Sequence, residues 1–124
     1  MLNGIKQMIA IHMAAGMLIS GCGMAAVTGG PLLPERLRDG TFEGTAGSWP
    51  NRAKVRVTVL DGRVSRIDLL SHFSSWVGNR AEETVPARII ERQSTDVDAV
   101  TGATNSSRVI MNAVQAAVEQ ASSR

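Results

Sequence analysis

Hydroxyl and amide side chains crowd residues 101–107, directly before a stretch with helical periodicity. Gly102 allows backbone conformations that are closed to other residues. A helix N-terminus offers free N–H groups and the positive end of the helix dipole, so it favours a phosphate without any lysine. The segment therefore predicts a phosphate site on the first turn of a helix, or else a turn with an N-cap, since Thr, Asn and Ser are also the usual capping residues. The polar residues are Thr101, Thr104, Asn105, Ser106 and Ser107, and the apolar ones that follow are Val109, Ile110, Ala113, Val114, Ala117 and Val118.

A second group of residues with possible chemistry surrounds His72. It is the one histidine outside the first 21 residues. It could donate a hydrogen bond to a ligand or have a structural role. Phe73 and Trp76 follow it and could stack on an aromatic ligand, although a position in the core is the more common fate of such rings.

Composition limits the size of the protein and the classes of partner. A chain of 124 residues, of which 44% are hydrophobic, has room for one small domain. Its 13 basic and 11 acidic residues are spread along the chain without a basic run, and only 3% of residues are aromatic. We therefore expect no nucleic-acid partner. The single cysteine excludes a disulfide within one copy and a thiolate metal cluster.

The N-terminal 21 residues have the character of an export signal. Lys6 precedes an apolar stretch at residues 8–19, and small residues then lead to Cys22. Residues 19–22 resemble a bacterial lipobox, in which cleavage falls before the cysteine and its sulfur receives a diacylglycerol. The alternative is a signal peptide or membrane anchor with an incidental cysteine, although the apolar stretch is short for a spanning helix. Both interpretations predict export.

We therefore divide the chain into three parts. Residues 1–21 are the predicted lipoprotein signal peptide, and residues 22–36 are the lipidated Cys22 with a tether rich in Gly, Ala and Pro. Residues 37–124 are the predicted folded domain. The lipid would hold this domain on a bacterial membrane, facing the periplasm or the cell exterior.

Alternating residues predict an antiparallel hairpin. Residues 39–47 indicate a strand interrupted by glycines, and residues 53–59 alternate as a half-buried strand does. After Asp61 and Gly62, a second alternating run carries Ile67 and Leu69 on one face. A two-residue loop would set Val57 against Arg66, so we expect a three-residue loop at 60–62 that pairs Val55 with Ile67 and Val57 with Ser65.

The remaining elements are helical. Asn79 is the expected cap of one helix, and Pro86 is expected to start a new turn before residues 88–93, where Ile89 and Ile90 are buried. The closing helix spans about residues 106–121 and packs one apolar face on the sheet, while Gln115, Glu119 and Gln120 face water. Antiparallel strands with segregated helices indicate an α+β fold, in which a small antiparallel sheet packs against helices in a single domain.

Four segments together resemble the FMN-binding domain family: residues 39–46, 55–64, 71–72 and 93–104. The resemblance extends from Leu37 to the C-terminus, and the last segment is its specific part. In that family FMN is esterified through its phosphate to the last threonine of a Ser/Thr-Gly-Ala-Thr motif. The resemblance implies that Thr104 is the attachment residue and that Asp98 opens the motif. The cofactor-binding residues it implies are Asp98, Thr101, Gly102, Ala103, Thr104, Asn105 and His72.

The same resemblance implies partners and a role. A separate Mg-dependent flavin transferase would modify the exported protein, and a membrane redox protein would be its electron donor or acceptor. Many members follow the histidine with a Glu-Thr-Pro-Gly type loop, whereas here residues 73–78 differ. We expect an electron carrier more than a stand-alone enzyme. The alternatives are a small flavin reductase of a quinone or other acceptor, and a structural or ligand-binding lipoprotein that never receives flavin.

Overall fold

Three antiparallel strands and two helices form the part of the protein that the computed structural model describes, which is residues 25–74, 76 and 78–122. The strands pair in the order β1-β2-β3, so that β2 lies in the centre. Short 3-10 turns precede β1 and the first helix. The fold is therefore α+β, as predicted. The elements are β1 (Gly40–Ser48), β2 (Asn51–Leu60), β3 (Arg63–Phe73), α1 (Ala81–Arg92) and α2 (Thr104–Ala121).

The core lies between one face of the sheet and α2. The alternating residues of β2 that face the helices are all buried, as predicted, and so is the whole predicted apolar face of α2. Burying each such valine stabilises the fold by roughly 1.5–3 kcal/mol. At Gly44 a Cβ atom would collide with the backbone of α2 at Ala113 and Ala117, so the missing side chain lets the helix lie directly on β1.

The β2–β3 hairpin differs from the prediction, and the predicted three-residue loop is wrong. Leu60 pairs with Arg63 across the two-residue turn, where Asp61 and Gly62 have φ values of 55° and 74°. Two positive φ angles are the mark of a type I′ turn, whose twist matches that of the strands. A bulge at Ser65 then shifts the register, so that Val57 lies opposite Ile67. The bulge restores the apolar face that we expected the longer loop to preserve.

Helix α1 begins later than predicted and continues through Pro86 without a break. A 3-10 turn spans Gly78–Arg80, and α1 starts at Ala81 with Arg80 at its N-cap, so the expectation that Asn79 caps it is wrong. Pro86 lies inside one continuous helix instead of starting a new turn. It removes one backbone hydrogen bond, but its own burial, together with that of Ile89 on the same helix, favours the unbroken helix.

The ends of the helices carry smaller differences. Ile89 is buried as predicted, whereas Ile90 is only partly buried. Helix α2 begins at Thr104, two residues earlier than expected. Gln115 is partly buried and faces a neighbour as well as water, because Thr95 Oγ1 donates a hydrogen bond to its Oε1 at 2.7 Å.

Residues 25–33, which we call the strap, lie alongside α2. The amide of Ala25 donates to Asn105 Oδ1 at 2.9 Å, and Asn112 Nδ2 donates to the carbonyl of Ala26 at 2.7 Å. Further along, the amide of Gly30 donates to Thr95 Oγ1 at 3.0 Å. Much of the segment predicted to be a tether is therefore packed on the domain. Cys22 and the predicted signal peptide lie outside the described residues.

Neither helix in the described ranges is long and apolar enough to cross a membrane.

Candidate functional site

The predicted acceptor segment forms a tight turn that leads into α2. The amide of Ala103 donates to the carbonyl of Val100 at 2.9 Å, and Gly102 has a φ of 83° that favours glycine. The hydroxyl of Ser107, which is fully buried, accepts a bond from the amide of Val100 at 3.0 Å. It also donates to the carbonyl of Ala103 at 2.7 Å. Ser107 therefore fixes the turn to the first turn of the helix.

The start of α2 lacks a side-chain cap. Ala103 occupies the N-cap with φ −130° and ψ 41°, and alanine is among the poorest residues at this position. The backbone bond from the amide of Ser107 to the carbonyl of Ala103, at 2.9 Å, closes the first helical turn. The amide of Ser107 is the first donor within the helix, so the amides of residues 104–106 have no partner within the helix. The alternative of an ordinary capped turn therefore does not describe this helix, and the free N–H groups can bind an anion.

Thr104 is the first residue of α2, so the last residue of the motif lies on the first helical turn as predicted, whereas the rest of the motif precedes the helix. Its side chain is partly exposed, and its hydroxyl makes no hydrogen bond within the described part of the chain. The preceding Thr101 and Gly102 are exposed. The threonine hydroxyl thus lies unbonded at the start of the helix, on a residue that solvent can reach.

Two further predicted site residues have partners of their own. The Oδ1 atom of Asn105 accepts the bond from the strap at Ala25. The backbone carbonyl of Asp98 accepts a bond from Arg88 Nη1 at 2.7 Å, which ties the acceptor segment to α1. Residues 98–103 therefore lie between the two helices, and residues 104 and 105 form the start of α2.

The β1–β2 turn and the end of β3 lie against this helix start. Asn51 Nδ2 donates to Ser106 Oγ at 3.2 Å. Gly78 is buried where a Cβ atom would collide with the hydroxyls of Ser106 and Ser74, so the chain after β3 also closes on the helix. We call this region the acceptor end: residues 48–52, the described residues of 72–78, and residues 104–107.

His72 occupies the acceptor end as a buried and oriented imidazole. Its side chain is 1% exposed, and Nδ1 lies 3.0 Å from Glu82 Oε1. A carboxylate partner places the proton of the neutral ring on Nδ1, which leaves Nε2 as an acceptor. That Nε2 atom is buried without a hydrogen-bond partner, as is Asn51 Oδ1. These two atoms can therefore bind a polar group that enters the acceptor end.

The aromatic residues of this region are not in the core, so the expectation of buried rings is wrong. Phe73 pairs with Arg52 on the outer face of the sheet, and its ring stacks on Trp49 with centroids 4.7 Å apart. Trp49, Phe73 and Trp76 are 69%, 53% and 81% exposed. A groove of about 580 Å³ lies along the outer face beside Phe73.

The outer face of the sheet is mainly charged. Arg56 Nη2 lies 3.0 Å from Glu43 Oε2, and Lys54 Nζ lies 3.5 Å from Glu43 Oε1. The hydrogen bond from Arg56 lowers the pKa of the Glu43 carboxyl, with a smaller contribution from the charge of Lys54. Arg52, which belongs to the acceptor end, is exposed and has no ion pair among the residues described.

Reasoning from the sequence missed several residues of the acceptor end, namely Trp49, Asn51 and Gly78. The strand alternation places residues 49 and 50 in a turn, which is a usable signal. It does not reveal which end of α2 covers that turn, because the contact between Asn51 and Ser106 joins positions 55 residues apart.

The chain is similar to a known protein family and to a known protein. The model of the FMN-binding domain matches residues 49–119, which run from the β1–β2 turn into α2 and include the acceptor segment. An uncharacterized protein of Treponema pallidum (strain Nichols) is 35% identical over 92 residues, which are 70% of this chain and 24% of that protein. The chain thus spans about a quarter of the length of this relative. The match over more than half of its residues shows that the chain belongs to the FMN-binding domain family and binds flavin.

Proposed function

We propose that the protein is an exported, lipid-anchored electron-transfer domain that carries FMN in a phosphoester bond to Thr104. The observation that carries this proposal is the unbonded hydroxyl of Thr104 at the uncapped start of α2, in a chain that belongs to an FMN-binding family. The ester bond would join Thr104 Oγ1 to the phosphorus of the nucleotide.

The residues at the helix start fit such a phosphate. The amides of residues 104–106 can donate to its oxygens, and the helix dipole favours its negative charge by roughly 0.3–1 kcal/mol at an exposed site. Ser107 and Gly102 keep the acceptor turn in one shape, so the hydroxyl is presented without reordering of the chain. The fit therefore comes from backbone groups and needs no basic side chain.

FMN supplies one-electron and two-electron chemistry when it is bound, and the protein holds and orients it. His72 is the residue of the acceptor end best suited to handle a proton, because Glu82 orients its ring and leaves Nε2 available. Asn51 Oδ1 can accept a hydrogen bond from a second polar group. The two side chains offer a polar boundary to a ligand at this end of the sheet.

Export and anchoring rest on the N-terminal sequence. A lipid on Cys22 would keep the domain at a membrane, where a membrane redox protein can serve as donor or acceptor. A flavin transferase would attach the cofactor after export. Covalent attachment suits this compartment, since a cofactor bound through an ester is not lost by dissociation.

Peptide mass spectrometry tests the attachment. The protein is co-expressed with an exported flavin transferase, and we expect the peptide that contains Thr104 to gain the mass of an FMN phosphoester. Thr104→Ala should abolish the gain, whereas Thr41→Ala, a change of an exposed threonine in β1 outside the acceptor segment, should retain it. Unmodified wild-type protein, obtained with a transferase that modifies another member of the family, would overturn the proposal. So would a label on a different residue.

A redox titration tests the role. The flavin-loaded protein should accept electrons from a chemical reductant and return them to a one-electron acceptor. A loaded protein whose flavin cannot be reduced would contradict an electron-transfer function.

A further inference from the structure

The two tryptophans of the chain both lie exposed at the acceptor end. Trp49 is 69% exposed and stacks on Phe73, and Trp76 is 81% exposed in the chain that follows β3. The sequence contains only two Trp, two Phe and no Tyr, so most of its aromatic residues lie on this one surface. An exposed aromatic group of this kind marks an interaction site.

Positive charge borders these rings. Arg52 lies opposite Phe73 in the register of the sheet and has no ion pair in the part of the protein described. Arg80, at the start of α1, is also exposed and likewise unpaired there, and Glu83 is the exposed acidic residue on the first turn of that helix. Glu82, whose side chain is 37% exposed, lies on the same turn, so Arg80 is offset by two carboxylates. The unpaired positive charge beside the aromatic surface, which we define as Trp49, Phe73 and Trp76, is therefore that of Arg52.

The strap brings the N-terminal part of the chain to the same end. The amide of Ala25 is bonded to Asn105, the residue next to Thr104. Cys22 precedes Ala25 by three residues, and a fully extended chain of that length spans about 11 Å at most. A lipid on Cys22 would consequently enter a bilayer close to the acceptor end.

We propose that the aromatic surface rests on an anionic lipid bilayer, with the acceptor end turned toward the membrane. Tryptophan rings favour the interface between lipid headgroups and hydrocarbon, and arginine beside them attracts anionic headgroups. The short reach from Ala25 to Cys22 favours a lipid over a protein as the occupant. The orientation rests on the proposed export and anchoring, whereas the contact of the rings with lipid needs no flavin.

The orientation has a consequence for electron transfer. Thr104 directly precedes Asn105, whose side chain bonds the strap, so a flavin on it would be held next to the membrane surface. The electron partner that fits this geometry is one embedded in the bilayer or carried within it, such as a lipid-soluble carrier.

Tryptophan fluorescence tests the contact because both tryptophans lie on the proposed surface. The whole protein carrying Thr104→Ala, which holds no covalent flavin, is purified from membranes and reconstituted into vesicles of phosphatidylcholine and phosphatidylglycerol. We expect a blue shift of the emission and a loss of emission when the lipids carry brominated acyl chains. Arg52→Glu should reduce that loss, as should vesicles of phosphatidylcholine alone.

A matched reporter controls for random orientation. Leu60 is 58% exposed at the opposite end of the sheet, so Leu60→Trp combined with Trp49→Phe and Trp76→Phe carries one tryptophan far from the surface. This variant should show neither the shift nor the loss of emission. Equal quenching of both proteins would overturn the proposal, as would tryptophans that remain accessible to iodide on vesicle-bound protein.

Failure to associate with vesicles would also overturn the proposal. A change in emission that requires flavin, seen in the loaded wild type without brominated lipid, would identify the flavin ring as the occupant instead. None of these results alters the mass of the Thr104 peptide, so failure of this inference is distinguishable from failure of the flavin attachment.

Discussion

The two ends of the sheet differ in how completely their polar groups are satisfied. At the hairpin end, which comprises residues 59–64 and Gln93, the side chain of Gln93 bonds both backbone groups of Val64. Its Oε1 accepts from the Val64 amide at 3.0 Å, and its Nε2 donates to the Val64 carbonyl at 2.9 Å. The same Nε2 donates to the carbonyl of Ile90 at 2.7 Å. The hairpin end is thereby joined to the end of α1.

The acceptor end has the opposite character. Among the described residues, the buried side-chain atoms without a partner are Asn51 Oδ1 and His72 Nε2, and both lie there. The start of α2 lacks a side-chain cap, and two tryptophans face solvent. An unsatisfied buried polar atom costs roughly 1–3 kcal/mol. The difference indicates that the hairpin end stabilises the fold, while the acceptor end retains groups that a ligand can satisfy.

The largest expected effect on stability is at the hairpin end. Gln93→Ala removes three hydrogen bonds of about 1 kcal/mol each, so we expect the free energy of unfolding to fall by about 2–3 kcal/mol. Urea denaturation measures the change. Gln120→Ala, which alters an exposed glutamine on α2, should change the value by less than about 0.5 kcal/mol. Equal effects of the two variants would remove the basis of the comparison.

Ser107→Ala should affect both stability and flavin attachment. It leaves the amide of Val100 without its partner and should lower the free energy of unfolding by about 1–3 kcal/mol. It also frees the acceptor turn, so the yield of modified Thr104 peptide should fall. Ser122→Ala is the matched control, because Ser122 also bonds a carbonyl four residues earlier but lies at the far end of α2. An unchanged yield in Ser107→Ala would show that the turn needs no such support.

Asn51→Ala should leave stability nearly unchanged. The variant loses one bond to Ser106 but also removes a buried acceptor without a partner, so we expect a change within about 1 kcal/mol of zero. Asn112→Ala makes the contrast, because the amide of Asn112 is fully engaged with the strap and its loss should cost more. Urea denaturation of the flavin-free proteins compares them. A large loss of stability in Asn51→Ala alone would mean that Asn51 stabilises the fold, contrary to the view that the acceptor end retains polar groups for a ligand.

The smallest expected effect is a dependence on pH at the outer face of the sheet. Because Arg56 lowers the pKa of Glu43 in the folded protein, the ion pair stabilises the fold at neutral pH. That stabilisation is lost as the pH falls through the lowered pKa, and the loss is small because the group is exposed. Thermal unfolding at neutral and acid pH measures it. Arg56→Gln should reduce the dependence, and an unaltered profile would contradict the assignment to this pair.

The periodicity of the sequence predicted most of the fold. Alternation in β2 and helical spacing in α2 identify the buried faces, because each element must bury its apolar side. The predicted β2–β3 register was wrong because the type I′ turn and the bulge at Ser65 together keep the apolar face. Alternation alone does not distinguish that arrangement from a longer loop. The prediction that Pro86 starts a new turn was wrong because packing of the buried helix outweighed the preference of proline for the first position of a helix.

Some residues of the site were also predictable from the sequence, and others were not. The acceptor motif is continuous in the sequence, so its position at the start of α2 was predictable from residues 101–107 alone. Asn51, Gly78 and the exposed rings were not, because they reach the helix start through contacts between distant segments.

The amino-acid sequence by itself determined the family, the α+β class and the threonine at the start of the final helix, because these depend on local order and periodicity. Only the tertiary structure decided that the strap, the β1–β2 turn and His72 meet at that helix start. The physical reason is that packing of α2 on the sheet determines which polar atoms remain without a partner and which rings face outward. Closeness in the sequence does not determine either.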